Sequence, residues 1–532
     1  MKPAFDSLIH LLAHRAETTP QETAFIFEEQ SHSYGELWQA VNRFADVLQQ
    51  EGLQPGDAVV LCLPNGPDFF TAFYGVQRAG GIPAPIGVES GPARIATIAG
   101  LCQAGTIVLD SALSPDFRAA VCDLCRPEGR AVVTVADTAP ESDDASFPAV
   151  SGDAIALLQY TSGSTGDPKG VELSHAAILT NLAQMRDGMA ITPQEVFVSW
   201  LPLHHDMGLI LLTMMPFFVG ARLVLLPTRQ ASTRHWFQAI QDHRGTFTAA
   251  PDFSYRLCLA NRERLGDYDL SSLRVALNAA EPVRAGTVVA FEETFGLGHV
   301  MRPAYGLAEA TVGVSMWPPL GQPVKVDDHG FVAVGSGFPG CELAIRGPDG
   351  QCPAGTVGEI TVRSPSATRG YLGNPAATQA LFMPDGYFHT GDLGYLDPEG
   401  DLFVVGRSKN IIIQAGRNIA PQEVEETVDP LACVRRSAAV GIERRRQEGD
   451  QLYIFVEWRG PHAAEEEQFE EATRSIVQAL HTRMGLRPAR VYFLRHGAIP
   501  RTDTGKTRYG DLRARYMGGA LREANMILFP GY

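Results

Sequence analysis

The sequence predicts an α/β fold, with mostly parallel sheets flanked by helices in a large amino-terminal part of several subdomains, followed by a smaller carboxyl-terminal part of different character. Three observations predict it. Continuous apolar runs of strand length, such as Ala58-Val59-Val60-Leu61-Cys62-Leu63, alternate with segments of helical periodicity, the pattern of parallel strands buried on both faces. At 532 residues the chain is too long for one core and must divide. Residues 410–532 carry 18 Lys+Arg against 16 Asp+Glu, or +2, leaving −18 on the rest of a chain whose net charge is −16. That change of sign accompanies a short polar linker, Ser408-Lys409-Asn410.

Taken in order, residues 6–50 read as helix, extended chain and helix. Tyr34-Gly35-Glu36-Leu37 opens the second helix, with Leu37, Val41, Phe44, Ala45 and Leu48 at a 3–4 spacing. Gly56-Asp57 turns the chain into the strand 58–63, and a helix from Phe69 through Arg78 closes at Gly80-Gly81. Residues 137–150, rich in Ala, Pro, Ser and Asp, read as a surface loop.

Next comes Tyr160-Thr161-Ser162-Gly163-Ser164-Thr165-Gly166-Asp167-Pro168-Lys169-Gly170, after the buried-strand pattern Ala154–Leu158 and before a helix predicted to open at Ser174-His175 behind a capping serine. Glycines admit close approach of backbone N–H groups to an anion, hydroxyls add donors, and the lysine adds a mobile positive charge. The stretch reads as a phosphate cradle, although the Walker spacing is absent. A Ser/Gly linker is the plainer alternative.

Further on, Trp200-Leu201-Pro202-Leu203-His204-His205-Asp206-Met207-Gly208 invites a metal reading, but it lacks a distant third ligand and the helical H-E-x-x-H spacing. A pocket-lining role suits it better. Thr246–Pro251 reads as a short strand leading to a helix that begins near Asp252, and Val275–Pro282 and Arg302–Thr311 each read as a strand ending in a polar turn. Ligands of open α/β sheets bind beyond the carboxyl ends of strands, so these ends and the cradle point to one cleft. Gly335-Ser336-Gly337-Phe338-Pro339-Gly340 fits G-x-G-x-x-G, but Pro339 and the strand-like Leu343-Ala344-Ile345 stand where a dinucleotide site needs a helix. No G-x-S-x-G is present, which disfavours a serine hydrolase.

Composition bounds the function. The chain is 45% apolar and 20% charged, as in globular proteins. It has no run of roughly 20 apolar residues for a membrane span, and its first residues lack a secretory pattern. A net charge of −16 argues against nucleic acid as a partner. Eight scattered cysteines, with Cys122-Asp123-Leu124-Cys125 the one C-x-x-C pair, read as reduced thiols of a cytoplasmic protein. Arg435-Arg436 and Arg444-Arg445-Arg446 form either a solvated basic face or a docking patch for an acidic or phosphorylated partner.

The cradle, His204–Gly208, Tyr305-Gly306-Leu307-Ala308-Glu309, Thr390-Gly391-Asp392, Gly406-Arg407 and Pro500-Arg501-Thr502-Asp503-Thr504-Gly505-Lys506 occur in one order over nearly the whole chain. In this the chain resembles the adenylate-forming superfamily of acyl-CoA synthetases, carrier-protein adenylation domains and luciferases. The resemblance implies an amino-terminal ATP- and acyl-binding domain over 1–407, a hinge at 408–410 centred on Lys409, and a small mobile α+β domain over 411–532. It implies two steps: a carboxylate attacks the α-phosphate of ATP, giving acyl-adenylate and pyrophosphate, and a thiol then displaces AMP. Carried onto this sequence, Thr161, Ser162, Gly163, Ser164, Thr165 and Gly166 with Lys169 would hold the β- and γ-phosphates. Tyr305, with Gly306 and Ala308 in the same motif, would stack on adenine beside Ala280 and Glu281. Glu309 would ligate Mg2+, Asp392 and Arg407 would bind the ribose, and Lys506 would bridge the attacking carboxylate and the α-phosphate. His205 would lie near the substrate carboxylate.

Within that superfamily, Trp200–Gly208, Ala250–Tyr255, Asn278–Pro282 and Tyr305–Thr311 resemble the fatty acyl-AMP ligases, which load an acyl carrier protein in lipid or polyketide biosynthesis. Ala308 stands where most of the superfamily has threonine. Those ligases carry an insertion after the adenine motif, whereas Glu309 to Glu359 spans 50 positions here, a spacing similar to that of ordinary acyl-CoA synthetases. The resemblance therefore implies a ligase passing acyl groups to the phosphopantetheine thiol of a carrier protein, with coenzyme A as the alternative acceptor and a non-catalytic binding module as the third reading. His205 replaces the aspartate by which amino-acid-activating relatives hold an α-ammonium, which points to a fatty or aryl acid.

Overall fold

The computed structural model describes residues 5–136, 147–161, 168–228, 232–317, 321–414, 417–443, 449–460, 465–502, 505–524 and 526–529. By contact density the chain forms two compact units. One comprises Met1–Ala344, Thr361–Thr390 and Glu399–Leu402; the other comprises Ile345–Ile360, Gly391–Pro398 and Phe403–Tyr532.

The first unit contains an eight-stranded sheet in the order Ser315–Met316, Met301–Tyr305, Val275–Asn278, Phe247–Ala250, Val196–Ser199, Arg222–Leu225, Thr23–Phe27, Gln30–Ser33. Only the two outermost pairings are antiparallel; the rest are parallel. Successive residues of a strand enter different cores. Phe197, Leu223, Leu225, Val275 and Leu277 join one, and Val198, Val224, Ala276 and Met301 the other. Since side chains alternate across a strand, a sheet covered on both faces needs unbroken apolar runs. The four-stranded sheet Ile82–Pro85, Ala58–Cys62, Thr106–Leu109, Ala131–Thr134 is wholly parallel and obeys the same rule. The fold is α/β, as the sequence predicts.

Helix Tyr34–Gln50 starts in a capping box: Ser33 Oγ accepts from Glu36 N at 3.2 Å and Glu36 Oε2 accepts from Ser33 N at 2.8 Å. All five of its predicted apolar positions are buried. Helix Pro67–Arg78 packs against it so closely that a Cβ on Gly75 would lie 2.9 Å from the Phe44 ring. Cys122 and Cys125 lie on helix Pro115–Cys125 between two parallel strands, so a βαβ unit that the sequence reading did not find does surround them. They stand at the helix's carboxyl-terminal end, where the dipole disfavours a thiolate, and burial pushes the Cys125 thiol up.

The second unit holds the sheet Val434–Glu443, Asp450–Trp458, Arg490–Leu494, Ile527–Phe529, of mixed direction. Ile454 and Val456 face one core, with Ile476 and Leu480 of helix Glu466–Met484; Tyr453 and Phe455 face another. Among the described residues no helix is long and apolar enough to cross a membrane.

One buried group makes stability depend on pH. His175, 1% exposed, opens helix His175–Gly188, and its Nδ1 accepts from the backbone N–H of Leu8 at 3.2 Å. Burial pushes its pKa down to about 4. The unfolded chain therefore takes up a proton that the native chain refuses. The contribution of His175 to stability is expected to be level above about pH 6.5, to fall by roughly 3 kcal/mol as pH drops toward about 4, and to level off below. Thermal melting of the wild type and His175→Gln over that range checks this. The variant should lack that part of the decline, and identical profiles would refute it.

Candidate active site

The carboxyl ends of the parallel strands sit side by side, since the register sets Ala250 beside Asn278 and Asn278 beside Pro303. Two non-glycine residues just beyond these ends hold positive φ: Ala280 at 71° and Thr311 at 77°. Such strain costs about 1–3 kcal/mol per residue and persists where the surroundings over-determine it. For the β-branched Thr311 the surroundings include a 2.6 Å hydrogen bond from its Oγ1 to Ser366 O.

Tyr305 ends its strand, and the chain reverses so that Val314 N donates to Tyr305 O at 3.0 Å. Gly306 makes the reversal possible, because a Cβ there would lie 1.8 Å from the Val312 carbonyl oxygen. The short 3-10 turn Ala308–Ala310 then presents Glu309, half-buried. At the neighbouring strand end the Glu281 carboxylate accepts from Phe253 N, near the start of helix Asp252–Ala260. Asp252, 1% exposed, accepts from Asn278 Nδ2 at 3.1 Å and Arg284 N at 3.2 Å and pairs with Arg256 at 3.0 Å. Helix and strand end are thereby locked together.

The cradle leaves a strand, as expected, but does not lead directly into a helix. Lys169–Ser174 is itself a strand, antiparallel to Ile155–Thr161, and helix His175–Gly188 follows it behind the expected Ser174 cap. Ile155–Thr161 and Lys169–Ser174 therefore make a hairpin, and a strand rather than a helix begins at Lys169. Ser162, Gly163, Ser164, Thr165 and Gly166 lie outside the described residues, as do Arg444, Arg445 and Arg446. Thr161 and Lys169 face each other at the hairpin's neck.

One segment the sequence reading passed over joins these parts. Gly370-Tyr371-Leu372 runs along the outer edge of Lys169–Ser174, with Glu172 N donating to Gly370 O at 3.0 Å and Leu372 N to Gly170 O at 2.9 Å. Thr368 N donates to Glu309 O at 2.8 Å. The Tyr371 hydroxyl donates to Glu309 Oε1 at 2.7 Å, and Lys169 Nζ stands 4.7 Å from the centre of the Tyr371 ring. Lys169 and Glu309, 140 positions apart in sequence, thus meet at one tyrosine. Among the described residues no three His, Cys, Asp or Glu side chains are grouped to hold a metal. A lone carboxylate beside a lysine nevertheless fits Mg2+, which keeps waters and takes one or two carboxylates together with substrate phosphates.

His204 and His205 lie with ring centres 4.3 Å apart. Gln159 Nε2, from the cradle hairpin, donates to His204 O at 2.8 Å, and a Cβ on Gly87 would come within 3.1 Å of His204 Nε2. A buried π-helix, Met207–Met214, follows them, a form common at functional sites.

The second unit brings together its own pair. Asp392, buried, accepts from the half-exposed Arg407 Nε at 2.7 Å across adjacent strands Phe388–Leu396 and Leu402–Arg407. Lys409 lies in the 3-10 turn Ser408–Asn410, where Ser408 Oγ donates to Gly391 O at 3.0 Å. Lys506 closes a tight loop: Thr502 N donates to its carbonyl at 2.9 Å and its N–H donates to Thr502 Oγ1 at 3.1 Å. Glu457, fully buried, anchors the approach to that loop by accepting from Gly497 N at 3.0 Å and Ile499 N at 3.2 Å. A lone carboxylate within the apolar run Ile454-Phe455-Val456-Glu457-Trp458 was the available signal, since a buried charge implies partners.

The chain is similar to known proteins over most of its length. Residues 12–372 match the AMP-binding enzyme family and residues 416–513 its AMP-binding enzyme C-terminal domain. The chain is 30% identical to the medium-chain-fatty-acid–[acyl-carrier-protein] ligase JamA of Moorena producens (strain JHB), over 98% of this chain and 96% of that one. A solved structure from work on fatty acyl-adenylate ligases of E. coli and L. pneumophila superposes with a TM-score of 0.87 at 28% identity, over 98% of this chain and 99% of that one. ATP-bound MatB from Rhodopseudomonas palustris superposes with a TM-score of 0.82 at 25% identity, over 96% and 99%. The chain belongs to the AMP-binding enzyme family and is an adenylate-forming ligase.

Proposed function

We propose that the enzyme activates a fatty acid as its acyl-adenylate and passes the acyl group to the phosphopantetheine thiol of an acyl carrier protein, in a lipid or polyketide pathway of the cytoplasm. The observation that carries the reading is the near full-length similarity to JamA, whose name gives both a medium-chain fatty acid and a carrier protein. The eight cysteines are scattered along the chain, in keeping with a reducing compartment.

In this reading a carboxylate oxygen of the acid attacks the α-phosphorus of ATP and pyrophosphate leaves. The cradle from Thr161 to Gly166, with Lys169, takes the β- and γ-phosphates. Tyr305 stacks on adenine beside Ala280 and Glu281, Asp392 and Arg407 take the ribose hydroxyls, and His205 lies at the acid's carboxylate. Lys506 bridges that carboxylate and the α-phosphate, drawing charge from both as the new bond forms. Glu309 would hold Mg2+, which when bound neutralises phosphate charge. In the second step the thiol attacks the acyl carbonyl and AMP departs, with Lys409 as the hinge between the two steps.

A second reading, transfer to coenzyme A, is favoured by one observation. The alignment to JamA runs over 577 positions against this chain's 532 residues, so JamA carries segments that this chain lacks. Together with the 50-position spacing from Glu309 to Glu359, this fits a chain without the insertion of the fatty acyl-AMP ligases.

The test supplies ATP, Mg2+ and a panel of fatty and aryl acids, then coenzyme A or a phosphopantetheinylated carrier protein, with products read by mass. Acyl groups that move only to the carrier are expected. Acyl-CoA as the main product would overturn the acceptor assignment, and adenylate formed only from aryl acids would overturn the substrate assignment.

A further inference from the structure

We propose that Tyr371 is a positioning residue for the nucleotide, orienting the Glu309 carboxylate toward a divalent cation while holding the Lys169 ammonium beside it and apart from it. This rests on the reading above that the first unit binds ATP with Mg2+.

The two charged groups come from different elements: Lys169 from the second strand of the cradle hairpin, Glu309 from the turn after the strand Met301–Tyr305. Opposite charges that meet at one side chain attract each other, and each blunts the other's attraction for its ligand. Tyr371 offers each a separate partner. Its hydroxyl gives Glu309 Oε1 a neutral donor at 2.7 Å, which fixes the carboxylate without cancelling its charge. Its ring gives the ammonium an aromatic face at 4.7 Å, a weak seat that a phosphate oxygen can outbid.

The tyrosine itself is held on both sides. Its backbone N–H donates to Thr378 Oγ1 at 2.9 Å, it bridges Val171 of the hairpin, and Leu372 N donates to Gly170 O at 2.9 Å. Gly370, at φ +136°, is packed so that a Cβ would lie 2.3 Å from Thr378 Cγ2. On the other side Thr368 N reaches Glu309 O at 2.8 Å and Thr311 Oγ1 reaches Ser366 O at 2.6 Å. The segment 366–372 therefore fixes the spacing between cation ligand and phosphate ligand, with the Tyr371 side chain touching both.

The test is calorimetric titration of the full chain with ATP, with Mg2+ varied from chelated to saturating. Tyr371→Phe keeps the ring and loses the donor. It should raise the Mg2+ concentration for half-maximal tightening by about tenfold, the scale of one hydrogen bond to a charged group, and leave ATP affinity in chelator unchanged. In a Glu309→Gln background the same substitution should change nothing further. Tyr371→Leu should in addition alter the affinity in chelator, because Lys169 loses its seat. A Tyr371→Phe titration that superposes on the wild type at every Mg2+ concentration overturns the proposal alone. A wild type that takes up no ATP at any Mg2+ concentration overturns the nucleotide reading, and the proposal with it.

Discussion

Lys506→Ala is expected to slow adenylate formation by about 10²–10³-fold, the cost of removing one preorganised group from developing transition-state charge. ATP binding should survive largely intact, because the bridging contact forms only as the carboxylate approaches phosphorus. The loop geometry supports a local effect. Its closure uses the backbone of Lys506 and Thr502 and the Thr502 hydroxyl, and its approach is anchored by Glu457. Truncating the side chain therefore leaves those bonds in place. Single-turnover pyrophosphate release beside an ATP titration makes the measurement; undiminished release would remove Lys506 from the first step.

Gly306→Ala is expected to act by a different route and to damage both stability and nucleotide binding. The added carbon would sit 1.8 Å from the Val312 carbonyl oxygen, a backbone atom with no rotamer through which to escape. The turn must open by more than an ångström, or the strand Met301–Tyr305 must shift. Overpacking against flexible side chains costs about 1–3 kcal/mol, and against backbone the loss should exceed that. The same shift moves Tyr305 on one side of the glycine and Glu309 on the other. ATP affinity should therefore fall by at least about tenfold in whatever fraction folds. A variant that melts and binds ATP like the wild type would show that the turn yields easily.

Much of the fold could be read from the residues because its signals are local. The apolar run 58–63 reports burial on both faces wherever its partners lie. Ser174 caps its helix through a bond three residues away. The G-x-G-x-x-G run was legible as a turn, and the structure supplies the reason for two of its glycines: Gly335 holds φ +74°, and Cβ atoms on Gly335 and Gly337 would lie 2.1 and 2.5 Å from the carbonyl oxygens of Met316 and Cys341.

What escaped the sequence was nonlocal. The strand Lys169–Ser174 is short, its burial does not alternate since Gly170, Val171, Leu173 and Ser174 are all buried, and it falls within a stretch whose glycines and lysine already argue for a phosphate cradle. Tyr371 and Glu457 carry no spacing signal, because their partners lie 62 and 40 or more positions away. Only tertiary pairing gives such residues a role.

The hairpin register has a consequence for how faithfully the site assembles. Leu157 faces Leu173, Gln159 faces Val171 and Thr161 faces Lys169, so these six side chains lie along one face of the ribbon. Leu157, Val171 and Leu173 on that face are members of the main core. A slip of one residue in the strand Lys169–Ser174 would carry Lys169 to the opposite face, and with it would pull Val171 and Leu173 out of the core. The error that misplaces the charge is thus the error that the hydrophobic effect rejects most strongly. A chain stable enough to persist has, by the same pairing, already put its lysine on the correct side.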